Sequence, residues 1–341
     1  MIRILLIALF FISGNIRAQI ADFEGVDFQR ADSLAALYDD ETLEYLPILA
    51  YKLTTHLPTK VEQFRAIYTW VSTNIAYDYW AYLKNKRKRE QLQSDSLALA
   101  NWNHSFRLKS FKILLKEQKT VCTGYAYLIR ELAMLAGIPC ELIDGYGRTV
   151  ETNVGEPGIV NHSWNAVELN GQWYVCDATW SSGIYSIQEN DFKVQYNDGY
   201  FLADPILFAK NHYPLDTTWL LFDTPPSLSE FLNAPLIYKD AFTYQMNPIE
   251  PREMKNQITR KDEMVFFFKA PDSLSIKDIR IELGSGSPSH IVKPTVIRTK
   301  EGLLAVKHKF ENKGYYDVHL KVGDKDIVTY TVKVKRRKRG K

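Results

Sequence analysis

Apolar side chains recur at three- and four-residue spacing from residue 122 to residue 136, at Cys122, Tyr125, Leu128, Ile129, Leu132, Leu135 and Ala136. This spacing predicts an amphipathic helix whose apolar stripe faces a core. Gly137 and Pro139 end the helix, because glycine accepts the left-handed cap and proline cannot continue the turn. We expect the hydroxyl of Thr120 to cap the first turn. A cysteine therefore stands in the first turn of a buried helix.

An Asn-Gly dipeptide at residues 170–171 separates two β-prone runs. It predicts a hairpin with a two-residue type I′ turn, in which Leu169 pairs with Gln172. Period-two alternation then places one set of side chains on one face of the hairpin: His162, Trp164, Asp177 and Thr179. His162 and Asp177 become diagonal neighbours, roughly 7–8 Å apart at Cα. A slip of one residue would send one of them to the opposite face.

Cys122, His162 and Asp177 together predict a catalytic triad. The free N–H groups and the positive end of the helix dipole stabilise a thiolate at Cys122. His162 would take and return the proton, Asp177 would hold the imidazole in the useful tautomer, and the backbone N–H of Cys122 would be one oxyanion donor. Taken singly, each residue also has a structural interpretation, since a helical cysteine is more often a core residue than a nucleophile.

Five stretches carry a resemblance to known proteins: TVCTGYA (120–126), AGIPC (136–140), NHSWNAVELNGQWYVCDATW (161–180), FRAIYTWVSTNIAYD (64–78) and YFLADPILFAKNHYPLDTTWLL (200–221). Together they resemble the transglutaminase-like superfamily, in particular the branch that contains the kyphoscoliosis peptidase and fungal cytokinesis proteins. The resemblance covers roughly residues 45–232. It implies a papain-like α+β core and carries the triad onto Cys122, His162 and Asp177.

Two residues depart from the pattern of that family. Thr120 stands where a glycine usually precedes the Val-Cys pair, and Ala178 stands where a proline is usual after the aspartate. Neither departure removes a reacting group. They bear on loop geometry and substrate fit, and they keep open a catalytically inactive scaffold.

Aromatic residues near the triad are candidates for further roles. Tyr77 and Trp102 are candidates for the second oxyanion donor, although aromatic packing is the simpler interpretation of either. Trp164 and Trp180 flank the triad, and we expect them to wall an acyl-binding groove. Core filling remains the default role of tryptophan. A loop at residues 155–158 is expected to edge the site.

The chain has three cysteines, so one remains unpaired in any disulfide scheme. Cys140 and Cys176 could form a disulfide in an exported protein, although nothing in the sequence brings them together. No metal site is expected, because no C-x-x-C or H-E-x-x-H spacing occurs and Cys176 faces away from Asp177. No cofactor is expected either.

The N-terminal residues 1–18 read as a secretory signal peptide, with Arg3, an apolar run and a small residue at Ala18. The apolar run is shorter than the roughly 20 residues that span a bilayer. We therefore expect an exported protein, periplasmic, cell-surface or secreted, with no transmembrane segment in the mature chain. Contacts with components of the cell envelope are an open alternative to free secretion.

The net charge argues against nucleic acid as a partner. The chain has 43 basic and 40 acidic residues. Without the two arginines of residues 1–18 and the seven basic side chains of residues 333–341, 34 basic residues remain, so the rest of the chain carries a net charge of about −6. The basic tail is expected to fray into solvent or to contact an anionic surface. A second basic run at residues 84–89 reads as an exposed insertion or a helix end.

Beyond about residue 236 the pattern changes to short β-prone runs separated by turn residues, at 264–268, 279–283, 303–306, 316–320 and 327–332. This predicts a β-sandwich of immunoglobulin-like type. The expected organisation is a signal peptide, a helical lead-in, a catalytic domain, a sandwich and a basic tail, at 1–18, 19–58, 59–232, 236–334 and 335–341. The fold class is α+β.

The sequence thus predicts an exported thiol enzyme acting on amide bonds of peptides or proteins. It would form a Cys acyl-enzyme and pass the acyl group to water, as a peptidase or amidase, or to an amine, as an acyltransferase. The alternatives are a catalytically inactive scaffold or binding module of the cell envelope and a structural envelope protein whose β domain holds a partner.

Overall fold

The computed structural model describes residues 19–284 and 289–336. The expected signal peptide and residues 337–341 of the basic tail lie outside these ranges, so both remain predictions. In the described ranges, no helix has both the length and the apolar character needed to cross a membrane.

The α-helices within the described ranges are α1 (Gln29–Leu37), α2 (Leu46–Thr54), α3 (Lys60–Asn74), α4 (Tyr79–Leu92), α5 (Ser96–Glu117), α6 (Cys122–Leu135), α7 (Ala178–Ser182), α8 (Pro205–Phe208), α9 (Leu228–Asn233) and α10 (Lys239–Thr243). The strands before residue 236 are β1 (Ala76–Tyr77), β2 (Lys119–Thr120), β3 (Cys140–Gly147), β4 (His162–Leu169), β5 (Gln172–Cys176), β6 (Gly183–Ser186), β7 (Asp191–Val194) and β8 (His212–Pro214). The later strands are β9 (Leu236–Ile237), β10 (Asn247–Glu250), β11 (Lys255–Thr259), β12 (Glu263–Lys269), β13 (Ile279–Gly284), β14 (His290–Val292), β15 (Thr295–Arg298), β16 (Leu304–Lys309), β17 (Gly314–Val322) and β18 (Lys325–Lys335).

The predicted amphipathic helix is α6, which begins at Cys122 and ends before Gly137, whose φ is 65°. The expected capping role of Thr120 is wrong. Val121 occupies the N-cap without a side-chain cap, and the Thr120 hydroxyl is buried without a hydrogen-bond partner. Thr120 belongs to β2 and packs on Gly124, where an added Cβ would lie 2.0 Å from the Thr120 hydroxyl oxygen.

The predicted hairpin is β4–β5, and its register is confirmed from the pair Leu169–Gln172 to the pair Asn165–Cys176. The turn residues at 170 and 171 have φ values of 53° and 78°, as a type I′ turn requires. The ladder does not continue to Asp177 as expected. The chain leaves the sheet there, because the Asp177 carboxylate caps α7.

The central sheet has the antiparallel strand order β5-β4-β3-β8. One face, with Val167 and Leu169, packs against α3 and α6. The opposite face, with Trp164 and Val175, joins the apolar cluster that includes Phe266 of β12. The sheet therefore lies between helices and the C-terminal domain, and the predicted α+β core is confirmed.

The C-terminal strands form two sheets, of order β10-β12-β16-β15 and β11-β18-β17-β13-β14, with β9 added beside β18. Each of the five predicted β-prone runs overlaps one of these strands. Phe266 of one sheet meets Tyr330 of the other, with ring centroids 4.8 Å apart. The predicted β-sandwich is confirmed, although β11 pairs with β18 in parallel, which the turn pattern did not indicate.

Helices α4 and α5 form a hairpin between β1 and β2. Asp78 and Asp95 cap the two helices by accepting hydrogen bonds from Ala81 and Ala98. The basic run at 84–89 lies in the middle of α4, so the alternative of a helix end is wrong. Strands β1 and β2 pair in parallel, which sets Tyr77 beside Thr120, just before the start of α6.

Candidate active site

Cys122 is the first residue of α6 and is half-buried. The first N–H groups of a helix have no partner within the helix, so the backbone at Cys122 offers donors to a bound oxygen. The helix is fixed to the sheet by Asn165, whose side-chain amide donates to the carbonyls of Ala126 and Glu141, at 2.9 and 3.1 Å. The thiol thus stands on a rigid element.

His162 and Asp177 meet as the sequence predicted. The Nε2–H of His162 donates to Oδ2 of Asp177 over 2.7 Å, and both residues are buried. This bond leaves Nδ1 of His162 to face a thiol. Gly147 of β3 lies against the histidine, and an added Cβ there would be 2.9 Å from the His162 Cβ.

The charge state of the pair follows from these contacts. Burial opposes a charged imidazole, but Asp177 and the hydrogen bond to Cys122 outweigh it and raise the pKa of His162 to about 10. Burial likewise opposes a charged carboxylate, yet His162 and His212 hold the pKa of Asp177 far below its usual range. At neutral pH the site therefore holds an imidazolium beside a carboxylate.

A third side chain, His212, was missed by the sequence analysis. It lies at the start of β8, which pairs with β3 so that His212 faces Gly147. Its Nε2–H donates to the same Oδ2 of Asp177 over 3.1 Å. Its Nδ1 lies 2.7 Å from the end of the Asn211 amide, whose oxygen and N–H2 are interchangeable in position, so the N–H2 donates to a neutral ring. The ring is fully buried against Phe208, with centroids 3.8 Å apart.

His212 is neutral at pH 7. Burial and the charge on His162 lower the pKa of His212 to about 4, despite the opposing contact with Asp177.

Asp177 accepts four hydrogen bonds. The donors are the side chains of His162 and His212 and the backbone N–H groups of Thr179 and Trp180. A buried carboxylate held this way is fixed in position as well as in charge.

Only a weak signal for His212 existed in the sequence. It lies in the stretch 200–221, which carries the family resemblance, but it is a lone histidine before a proline-containing turn. Its position depends on the pairing of β8 with β3, across a separation of more than 60 residues. Local patterns do not reveal such pairing.

Cys122 and His162 both line two adjoining depressions. The larger is a cleft of about 680 Å³ between the α4–α5 hairpin and the loop around residues 150–160. The smaller, of about 240 Å³, also contains Tyr77 and Trp180. The thiol therefore has open space on two sides, as a substrate chain crossing it needs. The loop at 155–158 edges the cleft as expected.

The two candidates for a second oxyanion donor occupy different places. Tyr77 lines the smaller depression beside Cys122, and burial together with Cys122 raises its pKa well above the usual value. Its hydroxyl thus stays protonated as a donor. Trp102 is not in either depression. Its indole N–H donates to the Asn85 side chain over 2.9 Å and ties α5 to α4.

The two tryptophans expected to wall a groove are also separated by the structure. Trp180 is half-buried, stacks on the His162 ring at 4.8 Å and lines the smaller depression. Trp164 is 1% exposed and packs behind His162, against Phe208. The structure thus does not place Trp164 on the surface of a groove, because its strand position points into the apolar cluster.

The three cysteines are all free. Cys140 and Cys176 are buried on β3 and β5, with β4 between them and an offset of two residues along it, so their Cα atoms lie about 12 Å apart. His162, Asp177 and His212 are the type of cluster that could hold a metal ion, because their ring nitrogens and carboxylate oxygens lie within 4.8 Å of one another. Their separations of 2.7 and 3.1 Å are those of direct hydrogen bonds, which an ion would have to break.

Part of the chain is similar to known proteins. Residues 48–178 match the family model of the transglutaminase-like superfamily. Kyphoscoliosis peptidase from Homo sapiens is 34% identical over 177 residues, which are 51% of this chain and 24% of that protein. Residues 48–178 thus form a transglutaminase-like domain, similar to that of kyphoscoliosis peptidase.

Hillarin from Drosophila melanogaster is 26% identical to this chain over 235 residues, 65% of this chain and 26% of hillarin. The chain thus spans about a quarter of the length of these curated relatives. Among solved structures, the Lin-41 filamin domain has a TM-score of 0.20 and 20% sequence identity, covering 24% of this chain and 84% of that one.

Proposed function

We propose that this protein is a thiol enzyme that acts on amide bonds of peptides or proteins through a Cys122 acyl-enzyme. The observation that carries the proposal is the 2.7 Å bond between His162 and Asp177, beside a half-buried thiol at a helix N-terminus. A buried, aligned imidazole next to a thiol is the arrangement that nucleophilic acyl transfer needs.

The steps follow from the positions of these groups. The sulfur of Cys122 bonds to the acyl carbon while the C–N bond breaks, and the proton on His162 passes to the leaving nitrogen. His162 then takes a proton from water, whose oxygen bonds to the acyl carbon as the C–S bond breaks. The backbone N–H of Cys122 and the Tyr77 hydroxyl are the candidate donors to the oxyanion.

Water is the favoured acceptor, because it is always present, whereas the described residues give no sign of a groove for an amine substrate. Transfer to an amine uses the same acyl-enzyme. Export is also part of the proposal, and it rests on the leader pattern of residues 1–18.

The experiment compares the intact protein with Cys122→Ala after treatment with an electrophilic amide probe. We expect one added mass on the intact protein and none on the variant, since Cys140 and Cys176 are buried. The rate should exceed that of a free thiol by at least tenfold at pH 7. A rate equal to that of glutathione would instead favour the scaffold, the alternative left open by Thr120 and Ala178.

A further inference from the structure

Arg89 is a charged residue of the large cleft that has no role in the proposed chemistry. It lies on α4 and lines the large cleft together with Cys122 and His162. Its side chain is half-buried, and its Nε–H is buried with no hydrogen-bond partner. Among the described residues it has no ion pair either. A cation is thus held in the cleft without a counter-ion.

This state is unfavourable for a guanidinium. Burial lowers the pKa of Arg89, although the charges of Cys122 and Asp144 oppose that effect. Removing a charge from water without pairing it costs free energy, and a buried N–H without an acceptor adds to the cost. A group that binds Arg89 would recover this free energy.

The acidic side chains of the cleft do not fill this role. Asp144 accepts a hydrogen bond from the Ser163 hydroxyl over 2.6 Å and lies beyond ion-pair distance of Arg89. Glu90, Glu151 and Glu156 are exposed at the rim. The unpaired guanidinium therefore faces the space that a ligand would occupy.

We propose that Arg89 binds a carboxylate of the substrate, and so makes the enzyme prefer an acidic residue or a terminal carboxylate close to the amide bond attacked by Cys122. This rests on the proposed function. The planar fork of N–H donors on arginine matches a carboxylate and binds it in two places. Glu151 and Glu156, on the loop that faces α4, repel an anion and direct it toward the Arg89 wall.

The test measures alkylation of Cys122 by paired reagents that differ in one charge. In this reaction the sulfur bonds to the methylene carbon and iodide leaves. N-iodoacetylglycine carries a terminal carboxylate, and its amide is the neutral match. N-iodoacetyl-isoglutamine carries a side-chain carboxylate, and N-iodoacetyl-glutamine amide is its neutral match. For each pair, the rate of Cys122 alkylation by the anionic reagent is divided by the rate with the neutral reagent, and this ratio is divided by the same ratio measured with glutathione. The normalised ratio reports binding of the carboxylate.

We expect this ratio to be about tenfold or more for at least one pair, since charge-assisted hydrogen bonds have this strength. Arg89→Gln should bring it close to one, and Arg89→Lys should restore part of it. The matched control is Arg87→Gln, which removes an equal charge from the exposed face of α4 and should change the ratio less than twofold. The pair with the larger ratio identifies the source of the carboxylate.

Three results would overturn the inference. They are a ratio near one in the intact protein, a ratio unaffected by Arg89→Gln, and an equal loss in Arg87→Gln, which would mean a general field. The absolute rate with the neutral reagents tests the proposed function separately. A fast neutral rate with no charge preference rejects the Arg89 site alone, whereas a slow neutral rate rejects the activated thiol.

Discussion

Replacement of His212 by glutamine should change how the stability of this protein depends on pH. The His212 ring is fully buried, and the titratable groups that face it are Asp177, His162 and Tyr200. Its pKa falls from 6.5 in the unfolded chain to about 4 in the folded protein. Glutamine fills a similar space and can donate to Asp177, but it does not titrate.

The sign follows from proton binding. Between pH 4 and pH 6.5 the unfolded chain protonates His212 and the folded protein does not, so its contribution to stability is full above pH 6.5 and falls as the pH falls. At about 1.4 kcal/mol per pH unit, the loss between pH 7.5 and pH 5 is about 2 kcal/mol. His162, whose pKa rises from 6.5 to about 10, has the opposite effect between pH 7.5 and pH 6.5, but it is present in both proteins and cancels when the intact protein is compared with His212→Gln.

The assay is urea unfolding followed by the fluorescence of the buried tryptophans, at pH 7.5 and at pH 5. The intact protein should lose about 2 kcal/mol more than His212→Gln between the two values. His56→Gln, which removes an exposed histidine, should follow the intact protein. Parallel losses in the intact protein and His212→Gln would refute a neutral, buried His212.

Three further substitutions test packing around the site. Gly147→Ala would place a Cβ 2.9 Å from the Cβ of His162. We therefore expect the free energy of unfolding in urea to fall by about 1–3 kcal/mol and the alkylation of Cys122 to become slower. The control Gly284→Ala, whose added Cβ lies at an ordinary 3.6 Å from Asp317, should change neither quantity. Arg148→Met should destabilise by about 3 kcal/mol or more in the same assay, because the buried guanidinium donates to several backbone carbonyls that would lose their donors; a loss below 1 kcal/mol would contradict this. Thr120→Val should raise the unfolding free energy by up to about 1 kcal/mol, because it replaces an unpaired buried hydroxyl with a methyl group; a lower unfolding temperature would show that the hydroxyl has a partner in solution.

Local patterns in the sequence were sufficient for the elements that hold the proposed triad. The apolar repeat located α6, and the Asn-Gly turn determined the register of β4 and β5, since a two-residue turn allows only one pairing. These two inferences alone place Cys122 at a helix start and His162 near Asp177. The β-prone runs likewise identified the strands of the sandwich.

Other features depended on contacts between distant parts of the chain. The cap at Asp177 ends the ladder at the pair Asn165–Cys176, before the expected pairing of Trp164 with Asp177, because the carboxylate satisfies backbone groups of α7. Thr120 does not cap α6, because the pairing of β1 with β2 turns its side chain onto Gly124. Trp164 faces the apolar cluster only because the sandwich covers that side of the sheet.

The sequence by itself determined the helix that carries Cys122, the hairpin that carries His162, and the approximate position of Asp177. These depend on periodicity and turn chemistry, which act over a few residues. Only the tertiary structure decided that His212 shares the Asp177 carboxylate and that Arg89 faces the cleft. The pairing of β8 with β3 places His212, and the packing of the α4–α5 hairpin places Arg89. The free energy of such contacts depends on groups far apart in the chain.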